Sequence, residues 1–220
     1  MLRKFLATPI LLAIISLSSF ADSGKIEATG AFADAAASDS LKKAVAEKGY
    51  RVTLPDGAVV CEIWLRKALP THEKTDVSGA IYTEINDSAV IAVVSFPKPV
   101  TDFRGQDVKA GAYTLRYALH PVDGNHMGIS PYRDFLLLTP VADDQNVDAQ
   151  YKFEELVKLS AKTIGAKHPA MWSLVAAEAK SAAPALSEND HGHLVFTAKV
   201  KTGKGADFSV AFVVKGQAEL

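Results

Sequence analysis

The 220-residue sequence contains a single cysteine, Cys61. No intrachain disulfide framework can form, so stability must come from a core, alone or with a bound ion. No excess of one charge is present either: 24 basic residues stand against 25 acidic ones. That balance excludes the basic footprint of a nucleic-acid binder and of a protein held on an anionic membrane surface. There is no phosphate-cradling glycine loop and no Gly-x-Ser-x-Gly elbow. No apolar run reaches the roughly 20 residues that a membrane-spanning helix needs.

What is present begins with an export pattern. Arg3 and Lys4 precede an apolar stretch from Phe5 to Leu17, broken only by Thr8 and Pro9. Ser19 and Ala21 put small residues at the two positions a signal peptidase reads, with Asp22 as the first mature residue. Residues 1–21 therefore read as a cleaved signal peptide, and the chain as exported to the periplasm or beyond, with no membrane anchor after cleavage. Loss of Arg3 and Lys4 leaves 22 basic residues against 25 acidic. Residues 22–38, rich in Ala, Ser, Gly and Asp, read as a flexible leader. Residues 39–220 read as a single β-rich domain, long enough to bury a sizeable core.

Along that domain the hydrophobic period is mostly 2. A short helix is expected from about Asp39 to Lys48, capped by Ser38 or Ser40, with Gly49 after its end. Strands are expected at Tyr50–Leu54 and Ala58–Leu65 around the Pro55-Asp56-Gly57 turn. Within the second, Val59, Cys61, Ile63 and Leu65 share the apolar face, which makes Cys61 a small buried hydrophobe. A second hairpin is expected from Gly79–Ile85 and Ala89–Phe96 around Asn86-Asp87-Ser88, a triplet that also fits a glycosylation acceptor. Val90–Val94 is apolar on both faces and reads as a doubly covered strand. Gly111–Leu119 and Asp134–Thr139 complete the middle. Phe153, Leu156, Val157, Ser160, Ala161 and Ile164 recur at helical spacing up to Gly165. Residues 176–190 fit helix, loop or linker. Leu194–Val200 and Phe208–Val214 alternate on either side of a turn. The expected class is mainly β: an antiparallel, jelly-roll-like β-sandwich, with a barrel-like sheet as the neighbouring option, plus one long helix and a short N-terminal helix.

The segment from Asp102 to Pro140 carries Gly105, Val108, Ala110, Gly111, Tyr113, Thr114 and Leu115. Asp123 to Gly128 and Asp134 to Leu137 follow downstream. In these residues the chain resembles a group of uncharacterised exported bacterial proteins with a GxxVxAGxYTL, DGxHMG and DFLL pattern. The resemblance implies a β-rich secreted fold and transfers no activity. Physically, Lys109-Ala110-Gly111 is a tight turn into a strand, with Gly111 free to adopt positive φ.

Six histidines are the residues richest in chemistry. His120 and His126 bracket Asp123-Gly124, and His191 and His193 share a face if their segment is extended. His168 lies three residues before Met171. Imidazole suits zinc and copper. One site from His120, His126 and one of His191 or His193, with Asp123 as ligand or orienting partner, is the metal expectation. The competing reading gives each histidine a backbone carbonyl to hold in a turn. Asp144, Asn146, Asp148 and Glu155 fall at positions 1, 3, 5 and 12 of a calcium loop, but Ala149 stands where that loop needs glycine. Acids flanking a helix start explain them better. Glu62 with Glu84 or Asp134 could pair as in glycoside hydrolysis, as any β protein offers. Tyr132-Arg133 could serve a binding surface, and Trp64 and Trp172 read as core. The function expected is an exported, non-enzymatic binding or accessory module of the cell envelope, with a small ligand or an envelope protein as partner. A periplasmic copper or zinc protein and a hydrolase with a dispersed site are the alternatives.

Overall fold

A computed structural model describes residues 24–121, 130–177 and 183–218. In chain order the elements are β1 (Lys25–Thr29), α1 (Asp39–Ala44), β2 (Gly49–Thr53), β3 (Val59–Leu65) and β4 (Val90–Phe96). A two-stranded flap follows from β5 (Val100–Thr101) and β6 (Asp107–Val108). Then come β7 (Gly111–Leu119), β8 (Asp134–Pro140), α2 (Phe153–Ile164), β9 (Ala170–Val175), β10 (Ala185–Glu188), β11 (Leu194–Lys201) and β12 (Asp207–Lys215).

Ten strands form one antiparallel sheet in the order β1-β2-β3-β4-β7-β8-β9-β12-β11-β10. The mainly-β class with two helices stands, while the sandwich is replaced by this single sheet, curled until β1 and β10 approach each other and the barrel nearly closes. Strand twist accumulates across ten neighbours, and register shifts at Val52/Thr53, Val90/Ala92 and Leu194/Val195 add curvature. Alternation in each strand specifies a buried face but not whether that face meets a second sheet or its own far side.

The interior is apolar. Cys61, Ile63, Leu65, Phe96, Leu115, Phe196 and Phe212 are buried there, and Trp172 stacks on Phe212 with ring centroids 5.7 Å apart. Outside, α1 and the 141–147 segment bury Val90, Val93 and Trp64. The expected double cover of β4 is therefore real: Val90 to Val94 are all inaccessible. The second outer layer is α2, which buries Leu156 against Phe135, Leu137 and Met171. Ser160 Oγ donates to the Leu138 carbonyl at 2.7 Å and Thr163 Oγ1 to the same carbonyl at 2.9 Å, fixing the helix to β8. The helix opens with the Glu155 carboxylate accepting from Lys152 N–H at 3.0 Å and closes on Gly165 in the left-handed region.

Four further expectations change. The first helix stops at Ala44 rather than near Lys48, and Gly49 opens β2 instead of following a helix end. Lys25–Thr29, within the expected leader, is an edge strand paired with β2, and only Ile26 and Thr29 are half-buried. One apolar residue among charges gives too weak an alternation to read. Ala170–Val175, unassigned by pattern, is a strand buried on both faces, which removes the alternation a strand is recognised by. Gly79–Ile85 forms no strand but a run of turns. Its donors Ile81 N–H and Tyr82 N–H are taken by the buried Asp134 carboxylate, at 3.0 and 2.6 Å, in place of a ladder. Tyr117 lies on the same inward side. The charge on Asp134 adds to burial in pushing the Tyr117 phenol upward. Burial raises the Asp134 carboxyl too, against the pull of the backbone N–H groups and the Tyr117 hydroxyl beside it.

Cys61 sits on the expected face and is fully buried; burial, with the neighbouring Glu62 charge, pushes its thiol far above the ordinary range. Native protein is expected to react with a thiol reagent at least about a hundredfold more slowly than protein in denaturant, on the order of its fractional opening. Equal rates by mass spectrometry would show that Cys61 is reached without unfolding.

Candidate functional site

The outer face of β8 and β9 is not fully covered by α2. Phe135 on β8 and Met171 on β9 form an apolar floor beside the helix. Phe153 and Val157, half-buried at successive positions of one helix face, overhang it. Gly165 ends the helix and turns the chain back, so Lys167, His168 and Pro169 form the opposite wall. The result is a cleft of about 270 Å³, close to the small end of ligand pockets.

Arg104 reaches the same cleft from the turn between β5 and β6. Asp102 builds that turn. One carboxylate oxygen accepts from Arg104 N–H at 2.9 Å and Gln106 N–H at 2.8 Å; the other accepts from the Gln106 side chain at 2.8 Å and Met171 N–H at 3.1 Å. Phe103 N–H donates to the Met171 carbonyl at 2.9 Å. The turn is thus riveted to β9, and its acid is consumed in the riveting.

His120 closes the cleft from the end of β7. Its ring packs on Phe135 at 4.6 Å and on Phe153 at 5.5 Å between centroids. His168 shares this cleft. His191 and His193 do not: they line a second cleft of about 280 Å³, with Ser173, Val175 and Val213 among its walls. Ser130 borders both, and its hydroxyl lies 3.2 Å from that of Ser173, so the two clefts adjoin on one outer face. No acidic residue lines either cleft among the described residues.

Of the expected metal ligands, His191 and His193 come together, with rings 5.7 Å apart and nearly parallel. His193 Nε2 makes a 2.9 Å hydrogen bond with the Gln217 carbonyl, and its ring packs edge-on to Phe103. Gly216 makes that approach possible: a Cβ there would lie 2.5 Å from the His193 ring. His126 and Asp123 lie outside the described residues. Among the described residues no group of three His, Cys, Asp or Glu side chains is placed to hold a metal.

The other acidic candidates are engaged elsewhere. Asp144 is clamped by Arg116, Asp148 pairs with Arg66 at 2.5 Å, and Glu155 caps α2. These calcium-loop positions therefore serve separate tasks. Glu62 pairs with Arg51 at 2.7 Å and Glu84 with Lys74 at 3.6 Å. Arg133 donates to the Ser78 and His120 carbonyls, tethering the 79–86 turns to the end of β7. Trp64 and Trp172 are both core residues, as expected, although the Trp64 indole N–H also donates to the Gly30 carbonyl at 2.8 Å. Sequence reasoning missed Arg104 and Lys167, which stand 63 residues apart in unremarked turns. Nothing in a linear pattern joins them.

Comparison with known protein families, with curated proteins and with solved structures finds no match for this chain.

Proposed function

We propose that this chain is an exported, non-enzymatic binding module of the cell envelope, and that it holds a small ligand with an apolar body on the outer face of β8 and β9. The observation that carries this reading is the cleft itself. Phe153 and Val157 of α2 keep half-exposed apolar surface over a floor formed by the buried Phe135 and Met171 side chains. Protein interiors are otherwise close-packed, so an apolar hollow of this size beside polar groups is a default binding site.

The test uses a neutral probe, N-phenyl-1-naphthylamine, whose fluorescence rises in an apolar environment. Saturable one-to-one binding is expected. Val157→Trp should fill the cleft from the helix side and weaken binding at least about tenfold, a loss of roughly 1.4 kcal/mol. Circular dichroism should stay unchanged, because Val157 is only half-buried. Absence of saturable binding, or binding that Val157→Trp leaves intact, ends the reading.

A further inference from the structure

We infer that the ligand of the Phe135–Phe153 cleft is an amphipathic anion, a short-chain carboxylate whose tail lies on the apolar floor and whose charged head meets Arg104 and Lys167. This rests on the cleft being a binding site and adds the chemistry of what enters it. The argument is one of charge complementarity. Two permanent cations, Arg104 and Lys167, approach the same hollow from two different turns, and His168 adds a ring N–H donor. No carboxylate lines the cleft among the described residues, and neither Arg104 nor Lys167 is held in an ion pair there. Elsewhere the same kind of side chain is answered within the fold: Arg51, Arg66 and Arg116 each have an acid.

Asp102 spends both oxygens on the Arg104 turn and on β9, so it sets the position of Arg104 without meeting its guanidinium in the cleft. A guanidinium and an ammonium on the walls of one cleft suit a carboxylate head, which Arg can grip through two N–H groups. The floor sets the other half of the ligand. An aromatic and thioether surface under a single helix overhang fits one thin alkyl chain, and the small volume excludes a double-chained lipid. A free single-chain carboxylate is therefore the occupant, in preference to a membrane surface.

Three ligands with one tail and different heads test this: octanoate, octanol and octylamine, each measured by displacement of the naphthylamine probe and by calorimetry. Octanoate should bind about tenfold tighter than octanol, and octylamine weakest. Arg104→Gln with Lys167→Gln should abolish the octanoate advantage and leave octanol unchanged. Added salt should shrink the advantage, since the two cations are partly open to solvent. Octanol binding as well as octanoate in wild type overturns the anionic head while the cleft reading stands. Failure of the probe and of all three ligands overturns the cleft reading itself. Attachment to anionic vesicles without octanoate binding assigns the cations to a membrane and overturns the inference.

Discussion

Replacing Arg116 with alanine should cost about 3–5 kcal/mol of stability, the range for breaking a buried ion pair. Arg116 and Asp144 are both fully buried. Nε and Nη2 of Arg116 grip the two oxygens of Asp144 at 2.6 and 2.7 Å. The guanidinium also donates to the carbonyls of Ser88, Asn146 at 2.8 Å and Ala149 at 3.1 Å, and lies 4.9 Å from the Tyr151 ring centroid. Thr114 Oγ1 donates to the same carboxylate. Removing Arg116 leaves a buried anion and three carbonyls short of a donor. A double variant supplies the control. Arg116→Met combined with Asp144→Leu removes both charges together and should lose much less than the sum of the single changes. Urea unfolding of the four proteins measures this. A loss below about 1 kcal/mol for Arg116→Ala would reduce the pair to the level of an exposed salt bridge.

Tyr82→Phe should cost about 2–3 kcal/mol although it removes one oxygen atom. That hydroxyl donates to the Val175 carbonyl at 2.7 Å and accepts from Ala177 N–H and Ala211 N–H, each at 3.0 Å. The ladder between β9 and β12 is short, with Ala211 opposite Val175 and Phe212 opposite Leu174. Tyr82 continues it where the strands splay, so three backbone groups lose their partner together. Hydrogen exchange should accelerate at Ala211 and Ala177 more than at Leu138 in the middle of β8. Burial pushes the Tyr82 phenol up to about 12. A raised acid is favoured neutral in the folded state, so its contribution stays whole below the ordinary tyrosine value and fades only as pH rises toward 12. The difference between wild type and Tyr82→Phe should thus be flat from about pH 5 to about 9. A cost that varies across that window would point to a different group.

Periodic elements were legible. The α2 repeat from Phe153 to Ile164 and the alternation of β7, β11 and β12 each place an element where it is found, although burial in these strands extends to both faces over much of their length. Legibility failed at β9, a six-residue run without alternation, and in the 79–86 turns, where side chains replace backbone partners. Arg116 shows the limit in one residue. It stands on the face of β7 opposite Tyr113 and Tyr117, which pattern assigns to solvent, yet the 141–151 segment folds over it. The candidate site was legible only in part. His120, His191 and His193 do gather on one outer face, but in two clefts, and the cations that set the chemistry of the first came from turns with no signal of their own.

The unclosed seam of the barrel carries a consequence for association. β1 and β10 face each other, yet no ladder joins them among the described residues. Each is a sheet edge with backbone donors and acceptors turned toward the gap, which is the template another copy would need to add a strand. Here every edge is the other's screen: an incoming strand would have to push apart a pair of elements already in contact. Lys25 and Glu27, paired at 3.2 Å on the exposed side of β1, put charge along the remaining open rim. The sheet thus stays open by one seam whose two edges screen each other, with a charged pair on the outer side of β1.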